Sequence, residues 1–347
     1  MTDSLQFLAA VAGLPEQLSN ACETAQRVDA AAWADGHSID NVVVLGMGGS
    51  GISGDVLSAV AATVVSVPIT VVKNYDIPAF VGPGTLAFAM SYSGGTEETV
   101  SMARAAALAG ARIVAISTGG ALQALASDHG GLHVQCPEGY MPRAAVGALV
   151  APMLVVLHQL GFLPDALVWL TDAHAQLAVR RDLCVPEITS DTNQARALAS
   201  KIGRTFPLVY GGGPLGAVAA MRWKCDINEN AKAPAFWNTY PELDHNEICG
   251  WAQHGDVTRQ LITIVELRHS FEHPQVERRF SATREIIRET VHAIVEVRAG
   301  GASPLAQLLD LMYLGDWVSC YLALDNDVDP GPIDAIATLK AALAGGA

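Results

Sequence analysis

Paired cysteines are missing from this sequence. Cys22, Cys136, Cys184, Cys225, Cys249 and Cys320 stand singly with no C-x-x-C among them, a scatter that suits reduced, packing thiols. No apolar run reaches the roughly 18 residues of a membrane span. The opening "MTDSLQFLAAVAGLP" lacks the basic start of a secretory signal, so a cytoplasmic location is expected. Positive charge is scarce as well: 21 Lys and Arg face 35 Asp and Glu, for a formal net charge of -14. That balance argues against nucleic acid and against an anionic membrane surface, which would repel the protein before contact. A small anion could bind only in a local trap of backbone amides, hydroxyls and a few cations that outweighs the overall field. Charged residues make up only 16% of the chain and hydrophobic ones half of it, so 347 residues can bury a large core and form two domains.

Short β-branched runs alternate with Ala-rich helical stretches through the first half: "NVVVLG", "ISGDVLSAVAA", "ITVVK", "TLAFAMSYS", "EETVSMARAAALAG", "RIVAIS". The alternation predicts an α/β fold with parallel strands and crossover helices, and the unbroken apolarity of the strands predicts helices on both faces. After "LCVPEITSDTN" the pattern restarts. "FPLVYGGGPLGAVAAMRWK" repeats the strand, glycine cluster and helix of "NVVVLGMGGSGISGDVLSAV", with "QLITIVEL" and "AIVEVRAG" as later strands. Two tandem doubly wound units with a boundary near residue 190 are the simplest account. Residues 1–40 read as outer helices, and "LAQLLDLMYLGDWVSCYLAL" as a long amphipathic or buried helix.

Gly46, Gly48 and Gly51 in "GMGGSG" complete a G-x-G-x-x-G pattern, which taken alone is weak evidence for a dinucleotide. The next strand ends in Lys73 and Asn74 where a nicotinamide site usually has an acid, although Lys73 would suit a 2'-phosphorylated cofactor. The following strand ends in "SYSGGTEET", where Ser91, Ser93 and Thr96 cluster at a strand-to-helix turn that favours a phosphate. Helix capping by Thr96, with Glu97 and Glu98 in the first turn, accounts for part of this motif and leaves Ser91 and Ser93 unexplained.

The pairing of "GMGGSGISGD" with "SYSGGTEET" resembles the sugar isomerase (SIS) domain. "RWKCDINENAKAPAFWNTYPELDHNEICGW", "MPRAAVG" and "YLALDNDVDPGPIDAIATLK" resemble, in order, blocks of the bifunctional phosphoglucose/phosphomannose isomerase family. The resemblance spans nearly the whole chain and implies two SIS domains. The N-terminal one, residues 1–188 with a helical extension, would carry the phosphate loop; the C-terminal one, residues 189–347, would carry a catalytic Glu/His pair. The activity implied is metal-independent and cofactor-free interconversion of glucose 6-phosphate or mannose 6-phosphate with fructose 6-phosphate, through an enediol. Phosphate and sugar would be held by Gly48, Gly49, Ser50, Ser91, Ser93 and Thr96.

The same resemblance implies Glu229 as the base shuttling a proton between C1 and C2 and His245 as the ring-opening group. It also gives Arg143 to the enediolate or a substrate hydroxyl, and Lys340 to the sugar during ring opening. Taken alone, a Glu near a helix end, a His beside "NE", an Arg after a turn and a Lys on a last helix each read as surface or structural residues. Asparagines flanking Glu229, and Asp244 and Asn246 flanking His245, could orient or tune the pair, and Glu247 is a competing acid or base. Family relatives build the site where subunits meet, which implies a homodimer with His245 near the partner. Two departures stand out: Gly95 replaces the Asn of an S-G-N-T loop, and Gly331 stands where relatives often carry Thr near C2 of the sugar. A sugar-phosphate sensor without turnover and an NADP-dependent reductase are the alternatives. His129, His133 and Cys136 do not form a metal site on this pattern, nor do Asp325, Asp327 and Asp329 form a calcium loop. His269, His273 and His292 are expected in surface or packing roles, and Trp237, Trp251 and Trp317 in core or interface space.

Overall fold

The computed structural model describes residues 2–189 and 191–344. It separates into two compact units, residues 13–177 with 301–306, and residues 1–12, 178–300 and 307–347. Helix α1 (Phe7–Ala12) opens the chain and belongs to the second of these.

In the first unit, α2 (Leu14–Ala25) and α3 (Ala30–Ala34) precede β1 (Asn41–Gly46), α4 (Gly48–Ala61), β2 (Ile69–Val72), β3 (Thr85–Met90), α5 (Glu97–Leu108), β4 (Arg112–Ser117), α6 (Gly120–Asp128) and β5 (Leu132–Gln135). A 3₁₀ turn at Pro142–Ala144 leads into α7 (Val146–Gln159) and then α8 (Ala166–Asp182). The five strands are parallel in the order β2-β1-β3-β4-β5, with Val42 opposite both Ile69 and Leu86. Val42 to Leu45 and Leu86 to Met90 are completely buried, as strands covered on both faces must be. Helix α2 packs on α7, which is buried along almost its whole length, and α3 also meets α7, so these two helices lie outside the sheet as expected, whereas α1 belongs to the other unit.

The second unit repeats the design. It contains α9 (Gln194–Ile202), β6 (Phe206–Gly212), α10 (Gly213–Asp226), a π-helical turn at Ile227–Ala231, β7 (Phe236–Tyr240), two 3₁₀ turns at Glu242–His245 and Glu247–Ala252, α11 (Gly255–Leu261), β8 (Ile262–Arg268), α12 (Pro274–Ile287), β9 (Ala293–Arg298), α13 (Pro304–Asp325) and α14 (Asp334–Ala344). Its parallel sheet runs β7-β6-β8-β9, the order of the first sheet without a fifth strand. In both units the chain steps outward from the first strand and then back to its other side. This leaves a crevice at the carboxyl ends of β1 and β3, and of β6 and β8, where open α/β sheets take their ligands.

Two strands escape the sequence pattern, and both are edges. β5 is only four residues, "LHVQ", with a single fully buried position, and β7, "FWNTY", leaves Phe236 and Trp237 exposed. Both are short and carry polar or exposed residues, so they lack the continuous apolar run by which the other two edges, β2 and β9, were read. Trp237 is accordingly a surface residue of this chain rather than core, while Trp317 is fully buried. α13 is of the buried kind: nearly every residue from Leu305 to Leu324 is out of contact with water.

Candidate active site

β1 runs straight into α4, and the turn is built by glycine for steric reasons. Gly48 has φ +52°, in the left-handed region that side chains resist, and a Cβ on Gly49 would lie 2.9 Å from the Pro142 carbonyl oxygen. That close approach sets the Pro142–Ala144 turn, and with it Arg143, beside the first turn of α4. Arg143 is 6% exposed, so it is no surface arginine. No side chain caps α4, and Ser50 is buried in its first turn. The amides of Ser50 and Gly51 turn back onto the Met47 carbonyl.

The loop after β3 differs in one respect from a plain helix cap. Thr96 occupies the N-cap position of α5, but its hydroxyl makes no bond to the helix amides and instead meets the Ser91 hydroxyl at 2.8 Å. Ser91 Oγ also lies 3.4 Å from Ser93 Oγ, and Ser93 Oγ accepts from the Gly95 amide at 3.3 Å. The three hydroxyls therefore form a cluster at the positive end of a 12-residue helix, with Ser93 exposed and Ser91 buried. Glu97 is exposed to solvent and Glu98 half-buried. Gly94, at φ +71°, locks this loop to the one after β4, since a Cβ there would fall 1.8 Å from the Gly119 oxygen. Gly95 has no atom within 4 Å of a Cβ, so a side chain could start from this position without a clash at its first atom. Lys73 is engaged in an ion pair with Asp55, which takes it away from the cofactor role considered for it.

In the second unit, Glu229 sits on the π turn that ends α10, a distortion that turns its side chain relative to the preceding α-helical frame. The turn closes at Lys232 in the left-handed region, φ +53°. From there Lys232 Nζ donates to the carbonyls of Asp329 (2.7 Å), Asn230 (3.1 Å) and Pro330 (3.3 Å). This ammonium ties the Glu229 turn to the segment after α13. Together they line a cavity of about 520 Å³, with Asn228, Glu229 and Lys232 on one side and Val328, Asp329 and Pro332 to Ile336 on the other. The flanking asparagines steady the backbone rather than the Glu229 carboxylate: Asn228 Nδ2 donates to Ala233 O at 2.8 Å and Asn230 Nδ2 to Ser319 Oγ at 2.9 Å. Lys232 is not singled out by the sequence, and Asp329 is weighed there only as part of a rejected calcium loop; the signal for both was position inside blocks that resemble the family.

His245 ends the 3₁₀ turn after β7, is exposed, and does not line the cavity of Glu229. Its neighbour Asp244 faces away, accepting from Arg279 at 2.9 Å and Thr283 at 2.8 Å on α12, and so anchors the turn. Glu247 is likewise committed: Asn238 Nδ2 donates to it at 2.6 Å and the buried Tyr210 hydroxyl donates to its other oxygen. Lys340 is exposed on α14, whose first turn contributes Asp334 to Ile336 to the cavity. Gly331 is buried against Leu5, and a Cβ there would come within 2.8 Å of the Leu5 Cβ, so the N-terminal segment takes the space a threonine would need. Ser4 N and Gly331 N both donate to Asp329, at 3.1 and 2.9 Å.

Among the described residues no group of three His, Cys, Asp or Glu side chains is placed to hold a metal. His133 bonds the Ser117 hydroxyl at 3.0 Å, and burial pushes the Cys136 thiol up to about 12. His269 is buried against the Gly212 carbonyl at 2.8 Å, His273 accepts from the Gln275 amide at the start of α12, and His292 is exposed. No helix among the described residues is long and apolar enough to cross a membrane.

Comparison with known proteins places this geometry in a family. Residues 191–343 match the family described as "Bacterial phospho-glucose isomerase C-terminal SIS domain". A bifunctional phosphoglucose/phosphomannose isomerase of Caldicellulosiruptor bescii is 36% identical over 334 residues, 96% of this chain and 98% of that protein. The chain belongs to the bifunctional phosphoglucose/phosphomannose isomerase family. Another member, from Aquifex aeolicus, is 34% identical over 86% of this chain and 89% of its own length. Among solved structures, the C-terminal domain of glucosamine-fructose-6-phosphate aminotransferase from Francisella tularensis superposes with a TM-score of 0.67 at 15% identity, over 93% of this chain and 96% of that one. The family's two-unit α/β architecture thus recurs in proteins whose sequences have diverged almost completely from this one.

Proposed function

We propose that this family member interconverts glucose 6-phosphate and mannose 6-phosphate with fructose 6-phosphate through an enediol, without a metal or a cofactor. The observation that supports this most is the half-buried Glu229 on a π turn lining a mostly apolar cavity, where a carboxylate can meet a carbon acid beside an apolar wall. Glu229 takes the proton from C2 of the aldose and returns it to C1, so that C2 becomes the ketone; the reverse transfer regenerates the aldose. Arg143 stabilises the negative oxygen that develops in between. The hydroxyls of Ser91, Ser93 and Thr96, with Gly48, Gly49 and Ser50, hold the phosphate. His245 and Lys340 assist ring opening. In this reading residues 1–188 form the phosphate-binding SIS domain, residues 189–347 the one with the Glu/His pair, and the protein works in the cytoplasm.

A coupled assay with each hexose 6-phosphate, run with and without chelator in deuterated water, tests the reaction class. Turnover with both aldoses, insensitive to chelator and accompanied by solvent label at C1 of the fructose 6-phosphate formed and at C2 of the aldose recovered by the reverse reaction, is the expected result. Turnover without label would show a hydride shift and overturn the mechanism, and binding of both sugars without turnover would make the protein a sensor.

The exposed position of His245, outside the cavity that Glu229 lines, supports a homodimer in which His245 lies near the partner chain. Sedimentation of the active protein at micromolar concentration is expected to show a dimer. A monomer of full specific activity would refute it.

A further inference from the structure

Three ionisable side chains are packed beneath the Glu229 turn and take no part in the proposed chemistry. Arg222 and Asp226 lie on α10 and Asp316 on α13, with exposures of 3%, 1% and 9%. Arg222 Nη2 donates to Asp316 Oδ1 at 2.8 Å, a well-formed ion pair. Its Nε lies 2.8 Å from Asp226 Oδ2, yet neither Asp226 oxygen accepts an aligned hydrogen bond. One guanidinium thus faces two carboxyl groups, and only one of these receives a proper donor.

A buried volume tolerates a net charge poorly, because the desolvation cost is recovered only through good pairing. With both carboxyls ionised the cluster would carry a charge of minus one, directly behind a base that must itself be anionic. We propose that Asp226 and Asp316 share a single proton, carried by Asp226 and donated toward Asp316, which makes the support of Glu229 electrically neutral. Asp226 and Asp316 are then positioning residues: they hold the π turn without adding negative charge behind the base. The charged groups acting on Asp226 are Arg222 on its own helix, Asp316 on α13 and Glu229 on the turn. Burial is the largest influence and pushes the Asp226 carboxyl well above its ordinary range; Arg222 opposes the rise, and Asp316 and Glu229 add to it. Lys232, the first cation after Asp226 in the chain, is occupied by the carbonyls of residues 230, 329 and 330.

Sharing one proton makes an unusual demand on substitutions. In Asp226→Asn the charge stays on Asp316; in Asp316→Asn the proton leaves Asp226, whose carboxylate then balances Arg222. Either single variant keeps the cluster neutral, and only the double variant leaves Arg222 unbalanced and favours the Glu229 carboxylate. The kinetic arm rests on the isomerase reading. In it, the acid limb of the kcat/KM profile should stay in place in both single variants and move to lower pH by about one pH unit in Asp226→Asn/Asp316→Asn. A single variant that moves the limb as far as the double one overturns the shared proton. Infrared spectra of the intact protein decide the same point without turnover and without the double variant. A buried protonated-carboxyl band is expected at neutral pH in the wild type and should vanish in each single variant. Its absence from the wild type overturns the proposal, whatever becomes of the isomerase assignment.

Discussion

Glu229→Gln is expected to lower turnover by about 10²- to 10⁴-fold, the range a general base supplies, while hexose 6-phosphate binding survives. The amide keeps the shape of the carboxylate and cannot accept a proton. Glu229 is only half-buried and its turn is held by Asn228, Asn230 and Lys232, so the substitution leaves the scaffold intact. Exchange of the C2 proton with solvent deuterium should disappear in the variant, because abstraction and return use one carboxylate. Rapid-quench or steady-state kinetics together with calorimetric titration separate the two halves. Retained activity with retained exchange would remove Glu229 from the mechanism, and lost binding would move it to the substrate-holding set.

The second large effect concerns the hydroxyl cluster after β3. Changing Ser93 and Thr96 together to Ala should weaken hexose 6-phosphate binding roughly ten- to hundred-fold per hydroxyl, since each hydrogen bond to a charged phosphate contributes about 1.5–3 kcal/mol. The fold itself loses little. Ser93 is exposed, and the Ser91–Thr96 contact is one neutral hydrogen bond, a loss of about 0.5–1.5 kcal/mol in stability. A thermal melt close to that of the wild type, alongside the weakened calorimetric affinity, is the expected pair of results. An unchanged affinity would take the phosphate away from this loop, and a collapsed melt would show that the cluster serves folding instead.

How much of this was legible in the sequence differs from element to element. β1, β3, β4, β6 and β8 announce themselves as unbroken apolar runs because they are covered on both sides, and the repeat of "NVVVLGMGGSG" in "FPLVYGGGPLG" declares the duplicated strand order. The short edge strands β5 and β7 do not, since their polar and exposed residues break the apolar run. Glycines spaced after a strand, and hydroxyls after the next but one, marked the strand-to-helix turns after β1 and β3, because such a turn is a local matter of backbone sterics.

The family and the class of chemistry were likewise determined by the chain alone, in the blocks around Glu229, His245 and Arg143. Tertiary structure decided which side chains are available to work. Glu247 reads as a competing acid until Tyr210 and Asn238 are seen to occupy both its oxygens; Thr96 reads as a helix cap until its hydroxyl turns to Ser91. Arg143 becomes buried only because a glycine lets the Pro142 carbonyl approach α4, and Lys232 gains its role only where residues 329 and 330, a hundred positions away, return to it. The physical reason is common to all four. Strand, helix and turn are local choices of the backbone, whereas the partner of a polar side chain is set by whichever distant segment packing brings within about 3 Å of it.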